Sequence, residues 1–317
     1  MKLRGIEFGP IIGASGLNGW FGEGYPYHAV LRLLPGFTFR GVTLTAKTTT
    51  LHARAGNMPL RKDQITPREL KPRSIVVRPG AGVVLNAVGL SGPGLPFLLG
   101  LGRWQKLEKP FLLSFMSVAE TRDARLQELR EAVSLLKVEL PNFRAQVGLQ
   151  INFSCPNVGH AQEEMVEDIH ESLAIASILG IPLIPKISVL VPPEKAAEIA
   201  RDPNCDALAV SNTIAWSDLP ENVRAVFFRT QESPLARYGG GGISGKYLLP
   251  LVIEWVRQFK RLRSNTPIIA GGGILRAHDV DRLVEAGADA VSPGSVVIVR
   301  PWKMKGIIAR AYALLGK

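Results

Sequence analysis

An α/β fold built around parallel strands is predicted for this 317-residue chain by the order of its apolar segments. Short apolar runs of strand length alternate with longer stretches in which apolar residues recur at helical spacing. This alternation is typical of a parallel sheet covered on its outer face by helices. Eight strand-like runs favour a (β/α)8 barrel, a fold of about 250 residues, as one domain over residues 1–317. An open doubly wound sheet is the alternative.

The predicted strands are short and apolar, and they occupy residues 41–48, 83–89, 111–116, 147–154, 183–188, 207–212, 267–271 and 290–295. The predicted helices occupy residues 121–140, 163–179, 193–200, 245–262, 277–286 and 301–315. The clearest helix contains Leu126, Leu129 and Leu136 on one apolar stripe. Two connections, 55–82 and 213–244, are long and contain glycine and proline, and loops of such length in a compact fold are usually functional.

The composition limits the class of protein. No apolar run approaches the roughly 18 residues of a membrane span, and the first residues lack the pattern of a secretory leader. Two cysteines provide neither a disulfide framework nor a metal-ligand spacing, so we expect a reduced, cytoplasmic protein without a bound metal. The net charge of +11 fits a nucleic acid, an anionic ligand or general solubility, but the scattered basic residues argue against nucleic acid.

Polar side chains stand where most of the predicted strands end, and in a barrel the chemistry lies at these ends. They are Lys47, Asn86, Ser114, Asn152, Lys186 and Asn212. Just after Asn152, Cys155 and Asn157 could converge with it on a small planar molecule. Each residue also has a structural interpretation, since a free cysteine is often a small buried hydrophobe and an asparagine often caps a turn. Their occurrence together favours a reaction site.

Three glycine clusters suggest a phosphorylated ligand. They lie at residues 239–245, 271–273 and 294–295. Glycine lets backbone N–H groups approach an anion, and barrels often bind phosphate with the loops after strands seven and eight. Tight turns are the structural alternative for any one cluster.

These residues resemble the flavin-dependent dihydroorotate dehydrogenases and the related dihydropyrimidine dehydrogenase domain over about residues 11–299. The resemblance is carried by ordered motifs, namely Gly13-Ala14-Ser15-Gly16, Lys47-Thr48, Gly56-Asn57-x-Pro59-x-Arg61, Asn86-x-x-Gly89-Leu90, Asn152-x-Ser154-Cys155-Pro156-Asn157, Lys186, Ser211-Asn212-Thr213, Gly241-Gly242-x-Ser244-Gly245, Gly272-Gly273-Ile274 and Gly294-Ser295.

The resemblance implies an FMN-binding barrel with a pyrimidine substrate. Implied contacts of the cofactor are Ala14, Ser15, Lys47, Thr48, Asn86, Asn152, Lys186, Ser211, Ser244, Gly245, Gly272, Gly273, Gly294 and Ser295, the last six at its phosphate. Implied contacts of the substrate are Asn86, Asn152, Asn157, Asn212 and Thr213. Catalysis would fall to Cys155 as the base, with Lys47 and Lys186 stabilising negative charge on the flavin.

The implied reaction is the oxidation of dihydroorotate to orotate in pyrimidine biosynthesis, with the C5 proton passing to Cys155 and the C6 hydride to flavin N5. In this family a cysteine at the base position marks the soluble class, whereas a serine marks the membrane-bound, quinone-using class. Soluble members use fumarate, or NAD+ through an iron–sulfur flavoprotein partner subunit, and this choice stays open. A homodimer is a further expectation from the family.

Other substrates also stay open. The alternatives are another dihydropyrimidine such as dihydrouracil, a tRNA dihydrouridine synthase, whose motif is Asn-x-Gly-Cys-Pro, and a non-enzymatic flavin or phosphate binder. Departures from the family pattern bear on this choice. Ser114 is followed by Phe115 instead of the usual glycine, residues 87–94 lack the usual polar side chain, and residues 20–27 and 216–238 are peculiar to this chain.

Overall fold

The computed structural model describes residues 1–153 and 162–316, apart from the side chains of residues 162–164. Its strands are β1 Lys2–Leu3, β2 Ile6–Glu7, β3 Ile75–Arg78, β4 Val83–Asn86, β5 Phe111–Phe115, β6 Val147–Asn152, β7 Leu183–Ile187, β8 Leu208–Val210, β9 Ile214–Ala215, β10 Gly242–Gly245, β11 Ile268–Gly271 and β12 Ala290–Ser292. Its α-helices are α1 Pro26–Leu31, α2 Leu95–Gly100, α3 Arg122–Glu139, α4 Gln162–Ala176, α5 Pro193–Ala200, α6 Glu221–Phe228, α7 Leu248–Arg261, α8 Ala277–Ala286, α9 Val296–Val299 and α10 Met304–Leu315.

A strongly curled parallel sheet organises this α/β fold. Six strands pair in the order β12-β11-β8-β7-β6-β5. Isolated parallel bridges continue the pairing beyond both edge strands: Ile11 bridges Val291 of β12, and Thr45 bridges Leu112 of β5. A third bridge, between Ile12 and Thr43, joins these two added segments to each other. The two edges of the sheet are therefore linked through residues 11–12 and 43–49.

One predicted barrel strand is wrong. Residues 83–86 form β4, which pairs antiparallel with β3 and β10 in a separate sheet of order β3-β4-β10-β9. The reason lies in the four residues 79–82 between β3 and β4, which include Pro79 and Gly80 and are far too few for a parallel crossover. Residues 11–12 supply the eighth segment of the curled sheet instead, and they lie between β12 and residues 43–49. The predicted strand 41–48 is present only as separate bridges at Thr43, Thr45 and Thr49.

The helical predictions agree closely with the structure. The predictions for 121–140, 193–200 and 277–286 correspond to α3, α5 and α8 within one residue at each end. Helix α3 begins where the Thr121 hydroxyl accepts a hydrogen bond from the Ala124 N–H. The helix predicted at 245–262 begins later, at Leu248, because Gly242–Gly245 pair with β4 as a strand. Among the described residues, no helix combines the length and apolar character that a bilayer span requires.

The two faces of the curled sheet belong to two different apolar cores. The larger core lies between strands and helices, whereas a smaller one contains Leu112, Ile184 and Ile269, together with Phe8 from the N-terminal segment. Because strand side chains alternate between faces, residues two positions after Leu112 and Ile184 share their inner face. These are Ser114 and Lys186. The sequence therefore fills one end of the interior with apolar groups and lines the other with polar groups.

Candidate active site

A cavity of about 640 Å³ opens at the carboxyl ends of the parallel strands. Ser114, which the sequence also placed at a strand end, does not border it. The predicted cofactor and substrate contacts within the described ranges all do: Ala14, Ser15, Lys47, Thr48, Asn86, Asn152, Lys186, Ser211, Asn212, Thr213, Ser244, Gly245, Gly272, Gly273, Gly294 and Ser295. Cys155 and Asn157 lie outside the described residues. The fold thus brings together residues that are far apart in sequence, while the role of each one stays a prediction.

The ends of β6, β7 and β8 present amides beside a lysine. Asn152 is in register with Lys186 on the neighbouring strand. The Asn212 side-chain N–H donates to Asn152 Oδ1 at 3.2 Å, and Asn212 Oδ1 accepts from the Thr213 backbone N–H at 3.0 Å. These bonds fix the orientation of both amides before a ligand arrives. An amide with one fixed orientation offers a donor and an acceptor at defined positions, as recognition of an imide edge requires.

A chain of hydroxyls forms another part of the cavity region. Ser15 Oγ donates to the Ala46 carbonyl at 3.0 Å, lies 2.7 Å from Thr48 Oγ1, and Thr48 Oγ1 lies 2.9 Å from Ser114 Oγ. Because each hydroxyl has one hydrogen, Thr48 must donate to Ser15, and Ser114 to Thr48. Every hydroxyl hydrogen in the chain is used, so Ser15 and Thr48 can offer only lone pairs to a ligand. This wall suits a ligand that presents N–H or O–H groups.

Two buried lysines supply the positive charge of the cavity. Burial lowers the pKa of Lys47 to about 7 and that of Lys186 to about 8. Lys47 donates to the Ser91 carbonyl and lies 4.4 Å above the centroid of the Trp20 ring. Among the described residues, neither lysine forms an ion pair with a carboxylate. A bound anion or electron-rich ring would favour their charged forms and raise both pKa values.

The lowered lysine pKa values predict how stability depends on pH. Burying the Lys47 charge lowers the free energy of unfolding. This destabilisation is complete below the folded-state pKa of about 7, and it is absent above the ordinary pKa of 10.5, where the lysine is neutral in both states. Between these values the unfolded chain binds more protons than the folded one, so the free energy of unfolding rises with pH. We expect Lys47→Met to remove part of this rise in cofactor-free protein, as measured by urea unfolding at pH 6, 7, 8 and 9. Parallel curves for the two proteins would contradict the prediction.

Glycines allow very close backbone contacts at another part of the cavity. Gly245 has φ +98°, and a Cβ there would lie 2.3 Å from the Gly82 carbonyl oxygen. Gly273 has φ +80°, and its Cβ would lie 2.6 Å from the Gly245 oxygen and 2.9 Å from the Leu249 nitrogen. The ends of β10 and β11 therefore meet the start of α7 with no room for side chains. Backbone N–H groups beside a helix N-terminus are suited to bind phosphate.

Some cavity residues are not indicated by the sequence pattern, and Gln150, Tyr25 and Tyr27 are examples. Gln150 is 4% exposed and lies two residues before Asn152, so both face inward. Its Oε1 is buried and has no hydrogen bond within the described structure. A glutamine inside an otherwise apolar strand was the signal that could have revealed it. Tyr25 and Tyr27 also line the cavity, with parallel rings 5.8 Å apart, and burial raises the pKa of both phenols.

Known proteins resemble this chain over nearly its whole length. A family model described as "Dihydroorotate dehydrogenase" matches residues 1–314. The chain is 30% identical to the dihydroorotate dehydrogenase B (NAD(+)) catalytic subunit of Anoxybacillus flavithermus, covering 100% of the chain and 91% of that protein. It is 31% identical to the Geobacillus kaustophilus protein of the same name, covering 99% and 90%. It is 29% identical to the dihydroorotate dehydrogenase A (fumarate) of Lactobacillus delbrueckii subsp. bulgaricus, covering 80% and 74%.

The fold is shared with a more distant solved structure. Ligand-free dihydroorotate dehydrogenase from Eimeria tenella superposes with a TM-score of 0.68 at 19% identity, covering 100% of this chain and 87% of that one. At this identity the likeness concerns the fold alone. The family match and the bacterial relatives carry the assignment further, and they show that the chain belongs to the dihydroorotate dehydrogenase family of oxidoreductases.

Proposed function

We propose that this protein oxidises dihydroorotate to orotate with FMN, in a single (β/α)8 barrel domain over residues 1–317. The observation that carries the proposal is the convergence, on one cavity, of two buried lysines, a fixed pair of amides and a glycine-lined backbone. Each group meets a separate need of the reaction. The lysines favour an electron-rich ring, the amides suit an imide, and the glycines leave backbone N–H groups open to phosphate.

The residues around the cavity fit FMN. The hydroxyl wall of Ser15 and Thr48 accepts hydrogen bonds, as the N–H of a flavin ring requires, and the lysines lie at the same cavity. The contacts of Gly273 with Gly245 and Leu249 would become clashes if a Cβ were present. We propose that Ser244, Gly245, Gly272, Gly273, Gly294 and Ser295 hold the phosphate. When bound, FMN supplies the acceptor for a hydride.

The chain's own residues would orient the substrate and remove its proton. Asn152 and Asn212 hold each other in place, and Asn86 borders the same cavity with its amide N–H near the Gly242 carbonyl. Together with Asn157 and Thr213 they would bind the pyrimidine ring and its carboxylate. Cys155, as a thiolate, would accept the proton from C5 while C6 gives up its hydride. A free thiol has a pKa of about 8.5, and neighbouring cations lower it.

Anaerobic reduction of the purified protein tests this proposal. We expect a yellow protein whose flavin absorbance is bleached by dihydroorotate and restored by an oxidant. A colourless protein that does not take up added FMN would contradict the cofactor assignment. Bleaching by dihydrouracil but not by dihydroorotate would instead identify dihydrouracil as the substrate. The apolar residues Ala87 and Val88, which line the cavity beside Asn86, are compatible with a ligand that lacks a carboxylate.

The names of the relatives support a proposal for the electron acceptor. Several relatives are named catalytic subunits of an NAD(+)-linked enzyme, so we propose that reduced FMN passes its electrons to NAD+ through a partner subunit. Two cysteines in the whole sequence are too few for the four that an iron–sulfur cluster commonly needs, so the second chain would carry that cluster. A homodimer of the catalytic chain and a cytoplasmic location complete the proposal.

Gln150 gives a prediction specific to this chain. We expect Gln150→Leu to weaken FMN binding by roughly tenfold, as loss of one hydrogen bond would, while raising the melting temperature of the cofactor-free protein. The stabilisation arises because the variant removes a buried oxygen without a partner in the described structure. Fluorescence titration and thermal unfolding measure the two effects.

Thr45→Val is the matched control for this variant. Thr45 is fully buried, its Oγ1 likewise has no partner among the described residues, and it does not border the cavity. We expect it to raise stability and leave FMN affinity unchanged. Equal effects of both variants on FMN affinity would show that Gln150 does not contact FMN.

A further inference from the structure

The contact between Trp20 and Lys47 goes beyond what the proposed reaction requires. We infer that Trp20 is a positioning residue that holds the Lys47 ammonium at the cavity wall and thereby makes bound flavin easier to reduce. The inference rests on the proposed FMN function for its second half. Its first half, the placement of Lys47, concerns the protein alone.

Lys47 is placed by two groups that belong to the protein. Its Nζ lies 4.4 Å from the centroid of the Trp20 ring and donates to the Ser91 carbonyl. The lysine is 8% exposed, so little water compensates the charge. A cation above an indole face is attracted by the negative face of the ring, and this attraction is strongest where water is excluded. In the described structure, this ring takes the place that a paired carboxylate often has.

The indole itself is firmly fixed. Trp20 is 1% exposed, and its carbonyl accepts a hydrogen bond of 2.8 Å from Trp104 Nε1. The backbone N–H of Trp20 donates to the Glu23 carboxylate at 3.2 Å. A Cβ on Gly92 would lie 2.8 Å from the edge of the ring, so the indole fills all the space available there. A ring held in this way can fix the position of the charge above it.

The second contact of Lys47 connects it to the loop that follows β4. Ser91 is fully buried; its Oγ donates to the Val88 carbonyl at 3.0 Å and accepts from the Met58 N–H at 2.9 Å. The backbone N–H of Lys47 donates to the Gly19 carbonyl at 3.0 Å, next to Trp20. Lys47 therefore joins the segment peculiar to this chain, residues 20–27, to the loop beside Asn86. The contact with Lys47 gives residues 20–27 a role, the placement of the lysine, that the family resemblance does not explain.

Proton NMR of selectively labelled lysine tests the placement directly, on cofactor-free protein. The ring current of an indole face shifts nearby protons upfield, so we expect an upfield Lys47 ε-methylene signal, assigned by its loss in Lys47→Gln. Trp20→Leu should move that signal to the ordinary lysine position, and Trp20→Phe should leave it between the two. Trp20→Leu that keeps the wild-type signal would overturn the inference.

Equilibration of the FMN-loaded protein with a redox dye tests the effect on the flavin. We expect Trp20→Leu to lower the equilibrium constant for flavin reduction by roughly fivefold to thirtyfold, the range for a desolvated cation–ring contact, with partial recovery in Trp20→Phe. An unchanged constant in a variant that has lost the upfield signal would overturn the link to the flavin. Failure to bind FMN would instead contradict the proposed function, while the NMR result would still decide the placement of Lys47.

Trp255→Leu controls for the loss of a buried indole. Trp255 is 4% exposed, donates to the Val191 carbonyl and stacks on Phe259, and it does not border the cavity. We expect it to lower the melting temperature as Trp20→Leu does, with no change in the Lys47 signal or in the reduction constant. If Trp255→Leu shifts the reduction constant as much as Trp20→Leu, the effect is one of general packing and the inference fails.

Discussion

Replacing Cys155 with serine is expected to slow the reduction of bound FMN by dihydroorotate by about two to four decades, the usual contribution of a positioned base. A serine hydroxyl loses its proton far less readily than a thiol, so the variant would have no comparable base near substrate C5. Anaerobic stopped-flow absorbance measures the rate of flavin bleaching. The FMN content and the affinity for orotate should stay close to those of the wild type, because the side chain keeps nearly its size.

Cys205 provides the control, since it is the only other cysteine of the sequence. Its Sγ lies 3.7 Å from the Ala207 carbonyl, and burial, with Asp202 and Asp206 nearby, raises the pKa of its thiol. It does not border the cavity, so Cys205→Ser should reduce FMN at the wild-type rate. A Cys155→Ser variant with an unchanged rate would show that another group accepts the proton.

Replacing Gly273 with alanine is expected to weaken FMN binding by about 5- to 150-fold, as one to three kcal/mol of backbone strain at the binding site would. Gly273 has φ +80°, and an added Cβ would lie 2.6 Å from the Gly245 oxygen. Relief of that contact must move β10, which carries Ser244 and Gly245 of the proposed phosphate site, or the start of α7, which Gly273 contacts. Equilibrium dialysis with FMN measures the dissociation constant.

Gly306→Ala is the matched control for this variant. Gly306 lies in α10, away from the cavity, and a Cβ there would meet no atom within 4 Å. Alanine is the better helix former, so we expect slightly higher stability and unchanged FMN affinity. Equal affinity of both variants for FMN would place the phosphate elsewhere.

The sequence predicted the parallel strands well where each strand is followed by its own helix. The apolar runs that became β5 to β8, β11 and β12 are each bounded by turn residues and separated by helical stretches. The prediction failed at residues 83–89 because an apolar run does not reveal whether its partner is parallel. The short connection at residues 79–82 contained that information. Residues 11–12 were missed because two bridged residues are too short to form a pattern.

The site was predictable to the extent that its residues follow strands. Lys47, Asn152 and Lys186 stand at the carboxyl ends of strand-like runs, so a barrel must bring them together. The contact of Trp20 with Lys47 was not predictable, because no sequence pattern links a residue of the N-terminal loop to the end of a strand-like run. Gln150 was missed for another reason. A buried strand is recognised by its run of apolar residues, and a single polar residue within that run is easily passed over.

The antiparallel sheet limits the route by which product can leave the cavity. Asn86 of β4 is in register with Gly242 of β10, and Val83 of the same strand is in register with Gly245. The β4–β10 pairing therefore connects the proposed pyrimidine-binding residue Asn86 to the proposed phosphate-binding residue Gly245. Swinging β4 outward to release a small molecule would also loosen the cofactor. We therefore expect product to leave through a part of the cavity mouth away from β4, so that the proposed flavin stays bound from one turnover to the next.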